Sequence, residues 1–223
     1  MNLSKSLEYF DPINDVKAPI HIIGVGAMGS RIAELLVRLG IRQLHIWDMD
    51  VVEDKNITNQ LYFHKQIGLP KTEALEEILR EINPQVDVKK HGKYTNQNLS
   101  GYIFLCVDSI ELRYEIANAN KDNKYILGMF DTRMRLEDAQ SYGANWADED
   151  AKKAFIATMN FTDEEAKEAS NMFFKGTKEM LMTMMASALK QLYDNTVFNK
   201  NDLYFLITAV LESDRKEQED ESK

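Results

Sequence analysis

Cysteine is almost missing from this chain of 223 residues: Cys106 is the only one. No internal disulfide can form, and a zinc site built from paired cysteines is excluded. Positive charge is also in short supply, with 27 Lys and Arg against 36 Asp and Glu and a formal charge of −9. Such a field repels a polyphosphate backbone, so nucleic acid is not an expected partner. No apolar run approaches the roughly 20 residues that cross a bilayer, and the first dozen residues lack the apolar stretch of a secretory signal. The expectation is a cytoplasmic protein with no membrane partner. There is no internal repeat. The four histidines, His21, His45, His64 and His91, are scattered and form no H-x-x-x-H pair. They read as structural or surface residues, with His64 the one that could line a pocket.

What is present is ordinary globular material. Hydrophobic residues make up 44% and charged residues 28%, enough for one substantial core. Residues 20–23 read as a strand running into Gly24, residues 32–39 repeat at helical spacing up to Gly40, and 44–47 form a second short strand. This is a βαβ unit, which requires parallel strands and puts the glycine turn at the carboxyl end of the first. From 71 to 82 the apolar residues Ala74, Leu75, Ile78, Leu79 and Ile82 share a helical face, and Asn83-Pro84 stops it. Residues 86–90 look like an exposed strand, 102–107 a buried strand containing Cys106, 110–119 a helix, and 125–130 another buried strand. The alternation predicts an α/β fold with a doubly wound, Rossmann-like, mostly parallel sheet.

After Asp131 the composition shifts. Residues 148–170 read as a partly exposed helical segment and 178–193 as an amphipathic helix carrying Leu181, Met184, Met185, Ala188 and Leu192 on one face. That methionine-rich stripe fits core packing or an interface. Residues 203–211 fit either strand or helix, and 213–223 form a charged tail expected to be disordered.

Gly24-Val25-Gly26-Ala27-Met28-Gly29 follows a strand and opens a helix, the setting in which G-x-G-x-x-G binds phosphate through backbone amides and a helix N-terminus. Ser30 can add a hydroxyl. Asp48, at the end of the second strand, stands where a carboxylate takes ribose hydroxyls. Asp50 and Glu53 follow in the loop. To this point NAD and ATP fit equally well.

The next segment separates them. Asp48, Asp50, Asn56, Gln60, Gly68, Pro70 and Lys71 occur in an order that resembles the ThiF/MoeB/E1-like adenylyltransferases, in which D-x-D is followed by N-x-x-R-Q and then I-G-x-P-K. Ile82-Asn83-Pro84 and Cys106-Val107-Asp108-Ser109 with Arg113 resemble two further family elements. The resemblance covers about residues 20–133. It implies activation of a carboxylate, commonly the C-terminus of a ubiquitin-like or sulfur-carrier protein or a peptide, as an acyl-adenylate formed from ATP. Within it, Lys71 would contact phosphates, Asp108 would hold Mg²⁺, and Asn56 and Gln60 would orient phosphate or ribose oxygens. Residues 1–133 would be the nucleotide-binding domain and 134–212 a helical segment completing it. A homodimer is implied as well, since family members pair and complete the site across the interface.

Two departures bear on activity. Asn59 replaces the family's arginine before glutamine, and the first basic residues are Lys5 and Lys17, so two cationic contacts are missing. Arg133 and Arg135 could approach from a strand-end loop, or could be surface arginines among Glu137 and Asp138. Arg113 is open between a surface arginine paired with Glu111 or Glu115 and a brace behind Asp108. Residues 134–223 contain no cysteine for a thioester step. The leading expectation is an ATP-dependent adenylyltransferase. The alternatives are a nucleotide-binding scaffold of the same family that has lost turnover and an NAD-dependent oxidoreductase, which would leave Asn56, Gln60, Lys71 and Asp108 without a purpose.

Overall fold

The computed structural model describes residues 11–12, 16–134 and 139–160. The predicted methionine stripe, the 203–211 segment and the charged tail lie outside the described residues. Strand β1 (Ile20–Ile23) is buried along its whole length, as befits a central strand, with His21 the one polar side chain among its isoleucines. Helix α1 (Ala27–Arg38) turns Ala33 and Val37 inward. It ends in a Schellman turn in which Gly40 N–H donates to Val37 O and Ile41 N–H to Leu36 O, each at 3.0 Å. Strand β2 (Gln43–Trp47) follows, then two short 3₁₀ turns, helix α2 (Lys71–Ile82), strand β3 (Asp87–His91) and strand β4 (Gly101–Leu105). Helix α3 (Ile110–Ala119) is capped by the Ser109 hydroxyl, which accepts from Leu112 N–H. Strands β5 (Ile126–Met134) and β6 (Ala139–Asn145) and helix α4 (Glu149–Ala157), capped by Asp148, complete the described chain.

The sheet order is β3-β2-β1-β4-β5-β6, with every neighbour parallel except the β5/β6 pair. One face packs Ile20, Ile22, Leu44 and Ile46 against Ala33, Val37, Leu75 and Leu79 of α1 and α2. The other packs Ile103, Leu105 and Met129 against Ile116 of α3 and Phe155 of α4. The predicted doubly wound α/β sheet is therefore present. Among the described residues no helix is long and apolar enough to cross a membrane.

Two expectations need correction, and a third gains a spatial arrangement. Strand β4 ends at Leu105, so Cys106 sits in the turn beyond it. Strand β5 continues through Met134 because β6 pairs with it antiparallel from Met134↔Ala139 to Gly128↔Asn145, and β6 was not foreseen. Three of the four histidines, His21, His45 and His91, meet on the sheet in the structural role expected of them, while His64 stands apart and exposed. Parallel register sets His21 opposite His45, and Trp47 opposite His91. Trp47 Nε1–H donates to His21 Nδ1 at 3.2 Å, His45 Nδ1 and His91 Nε2 are 3.1 Å apart, and the Trp47 and His91 rings stack at 3.9 Å. The His45 and His91 rings are nearly parallel, 10° apart, with centroids at 5.3 Å.

Burial, followed by the neighbouring His45 and His91, lowers the His21 pKa from 6.5 to about 4. The unfolded chain takes a proton near pH 6.5 that the folded chain refuses. The contribution is therefore complete above that pH and disappears as pH falls toward 4, amounting to up to about 3 kcal/mol. Urea denaturation between pH 7.5 and 4.5 should show this loss in the native chain and a flatter dependence in His21→Leu.

Candidate functional site

The sheet reverses its order between β1 and β4, and the expected residues gather there at the carboxyl ends of β1, β2 and β4. Gly24 takes φ +89°, and a Cβ on it would stand 2.8 Å from the backbone of both Cys106 and Val107. The turn is thus closed against the end of β4 by main chain alone. Gly29 presses from the other side, where a Cβ would meet Gly24 O at 1.9 Å. Gly26 differs: the nearest atom to a Cβ there is Gln60 Nε2 at 3.9 Å, and the space before it is otherwise open. Gly26 is the N-cap of α1, no side chain caps the helix, and its first turn carries no acidic residue. The leading amides, which have no intrahelical acceptor, and the positive end of the helix dipole therefore face that opening.

Asp48 ties this turn to β2. Its Oδ2 accepts from Val25 N–H and its Oδ1 from Asp50 N–H, both at 2.9 Å. A carboxylate retains lone pairs beyond these two bonds. Past it the chain is sewn to the 67–71 stretch: Val51 bridges Pro70, Val52 N–H donates to Leu69 O at 2.8 Å, and Lys71 N–H donates to Asp50 O at 2.9 Å. Lys71 is buried, and its Nζ pairs with Oδ2 of the exposed Asp50 at 2.9 Å. The pairing spares the ammonium the cost of sitting buried without a counter-charge. Gln60 lies beside Gly26, and its Oε1 is shut off from solvent with no hydrogen-bond partner.

Several of the expected residues also hold the chain around the turn. Ser30, expected to offer its hydroxyl to phosphate, is fully buried, and its Oγ accepts from Leu61 N–H at 3.4 Å, so it holds the chain after Gln60. Asn56, expected to orient ligand oxygens, is also buried, and its Oδ1 accepts from Glu53 N–H at 2.8 Å, closing the Asp54–Thr58 3₁₀ turn. Asn59, at the position the resemblance assigns to arginine, is exposed at the end of that turn. Arg133 is buried and bound to Asp131 and Thr158, so it brings no cation to the glycine turn. Arg135 lies outside the described residues. Arg113 is no surface arginine, being only 5% exposed and bound to the Asp131 carboxylate. Asp108 stands exposed in the loop between β4 and α3.

Cys106 faces the Thr132 hydroxyl at 3.5 Å, and burial pushes its pKa up to about 11. It carries little thiolate near neutral pH. Tyr62 escaped the sequence reading: its buried hydroxyl donates to Val25 O at 2.6 Å and backs the glycine turn from below. The signal for it was slight, a tyrosine two positions after Gln60 whose hydroxyl needed a partner once its ring was buried. Among the described residues no group of three or more His, Cys, Asp or Glu could hold a metal. A divalent ion here would rest on Asp108 and on oxygens brought by the ligand, an arrangement that suits Mg²⁺.

A model of the ThiF family matches residues 15–129. Over 124 residues the chain is 36% identical to ubiquitin-like modifier-activating enzyme 5 of Caenorhabditis briggsae, covering 47% of this chain and 29% of that protein. The Xenopus laevis protein of the same name is 36% identical over 121 residues, covering 45% of this chain and 30% of its own. The chain thus spans about 30% of the length of these curated relatives. Among solved structures, Escherichia coli MccB with ATP superposes with a TM-score of 0.53 at 18% identity, covering 58% of this chain and 41% of that one, which is a likeness of fold.

Two substitutions test the turn. Gly24→Ala combines a left-handed φ with backbone overlap and should lower stability by about 2–4 kcal/mol in urea denaturation. Tyr62→Phe removes only the bond to Val25 O and should lower it by about 1 kcal/mol.

Proposed function

The chain belongs to the ThiF family, and from that premise we propose that it binds MgATP at the glycine turn and adenylates a carboxylate. The observation that carries this reading is the start of α1: an uncapped helix N-terminus with no acid in its first turn, opening at Gly26 onto free space. Such a terminus suits a phosphate. The surrounding groups fit the rest of a nucleotide. Asp48 has lone pairs for ribose hydroxyls, Lys71 offers an ammonium that could leave Asp50 for a phosphate, and Gln60 Oε1 is a buried acceptor awaiting a donor. Magnesium would be held by the Asp108 carboxylate and supplies charge neutralisation on the phosphates.

The reaction unites two anions. A carboxylate oxygen attacks the α-phosphorus of ATP, the new C–O–P linkage forms as the bond to the bridging oxygen breaks, and pyrophosphate departs. The task of this chain is to hold the two reactants in line and to offset phosphate charge. The curated relatives are named for activating ubiquitin-like modifiers, and MccB was solved with ATP. The substrate in this reading is the C-terminal carboxylate of a ubiquitin-like or sulfur-carrier protein or of a peptide. A homodimer that completes the site belongs to the same reading. In this reading the cycle stops at adenylation, and Cys106, whose burial raises its pKa, takes no part as a thioester acceptor.

The second reading, a nucleotide-binding scaffold without turnover, is favoured by two observations: Asn59 is neutral where the resemblance expects arginine, and Lys71 is already paired with Asp50. Pyrophosphate exchange into ATP, measured with candidate carboxylate carriers, decides between them. The adenylation reading expects exchange that falls at least about a hundredfold in Lys71→Ala and in Asp108→Ala. ATP binding with no exchange would establish the scaffold, and absence of ATP binding would remove both.

A further inference from the structure

We infer that the buried Arg113–Asp131–Arg133 triad is a positioning device that fixes the Asp108 loop and ties it to the carboxyl end of α4. The inference rests on the reading of Asp108 as the magnesium-holding carboxylate.

The loop that carries Asp108 spans only from Leu105, the last residue of β4, to Ile110, the first of α3. Arg113, one turn into α3, reaches back beneath it. Its guanidinium donates to Leu105 O at 3.2 Å, to Thr132 O at 3.0 Å and to Val107 O. Two carbonyls of the stretch leading to Asp108 are thereby gripped by one rigid, planar group. The Ser109 cap holds the other side. Asp108 thus has fixed main chain on both flanks while its own carboxylate stays exposed.

Arg113 is held in turn. Asp131, on β5, is completely buried and accepts from both Arg113 and Arg133. Arg133 Nε meets Asp131 Oδ2 at 2.7 Å, and its two terminal nitrogens donate to Thr158 O at 2.8 Å and Thr158 Oγ1 at 2.9 Å. Tyr142 of β6 closes the side of the Arg133 guanidinium, its ring 4.7 Å away. Thr158 is the C-cap of α4. A continuous path of charge-assisted hydrogen bonds, buried at Asp131 and partly buried at its two ends, therefore joins α4 to β5, β5 to α3, and α3 to the backbone before Asp108. Such bonds are directional and strong when buried, and a planar fork cannot be replaced by lysine without loss of geometry. Neither arginine touches the opening at Gly26, so the triad acts through Asp108 rather than on a ligand.

The test uses Arg133→Lys and Thr158→Val, which lie farthest from the loop, together with Arg113→Lys. Amide hydrogen exchange of the full-length proteins is read at residues 105–109, with α2 as internal reference, and the magnesium concentration giving half-maximal ATP binding is read by calorimetry. Folded Arg133→Lys should exchange about tenfold faster at 105–109 with α2 unchanged, and should need about tenfold more magnesium, while binding of metal-free ATP stays as in the native chain. Wild-type exchange at 105–109 in folded Arg133→Lys and Thr158→Val would overturn the inference. So would faster exchange there with an unaltered magnesium requirement. If the native chain binds no ATP at all, the proposed function fails, and the exchange data alone still support or overturn the mechanical link. Should Arg113→Lys fail to fold, the two distal variants decide the matter by themselves.

Discussion

The site depends on one contact without side chains: the main chain of Gly24 lying against the main chain of Cys106 and Val107. With a Cβ at Gly24 only 2.8 Å from those atoms, nothing but glycine lets the first turn close onto the end of β4. That approach brings three strand ends together at the point where the sheet changes direction. Gly29 keeps α1 equally near, so the helix starts directly beneath the opening at Gly26. The Asp48 carboxylate on Val25 N–H and the Tyr62 hydroxyl on Val25 O then fix the turn from opposite sides. The opening at Gly26 arises from backbone shape first, and the charged groups are added around it.

Charge is handled in two different ways around this turn. Lys71 is a buried cation with an exposed partner, Asp50, so its pairing can be exchanged for a ligand at modest cost. Asp131 is a buried anion between two buried cations, so its pairing is structural, and removing Asp131 would leave two guanidinium groups facing each other in the interior. One arrangement suits a group that must meet a ligand, the other a group that must not move. The Trp47, His21, His45 and His91 rings form a third polar cluster, on the sheet beneath Asp48, that stays neutral above mildly acidic pH.

The alternation of apolar runs made the parallel sheet and its helices legible because buried strands and amphipathic helices leave strong periodic signals. Residues 110–119 and 71–82 form the helices expected of them. The β6 segment, Ala-Gln-Ser-Tyr-Gly-Ala-Asn, was illegible because an edge strand with few inward apolar side chains leaves almost no pattern. At the site, motif spacing identified the glycine turn, Asp48, Asp50, Gln60 and Lys71 as neighbours. It could not show which residues also hold the loop: the side-chain oxygens of Ser30 and Asn56 accept from backbone amides. The histidine cluster was invisible for a related reason. Strand register, which no single-strand pattern contains, sets His21 opposite His45 and Trp47 opposite His91.

If a nucleoside triphosphate docks in the opening before Gly26, the amides lining that opening must feel it. Two-dimensional NMR of the isotope-labelled chain during titration with ATP and magnesium reads those amides one by one. Docking there should shift Gly26, Ala27 and Met28 first and furthest, together with the Gln60 side-chain amide. Saturable shifts confined to other surfaces, with those amides unmoved, would contradict it.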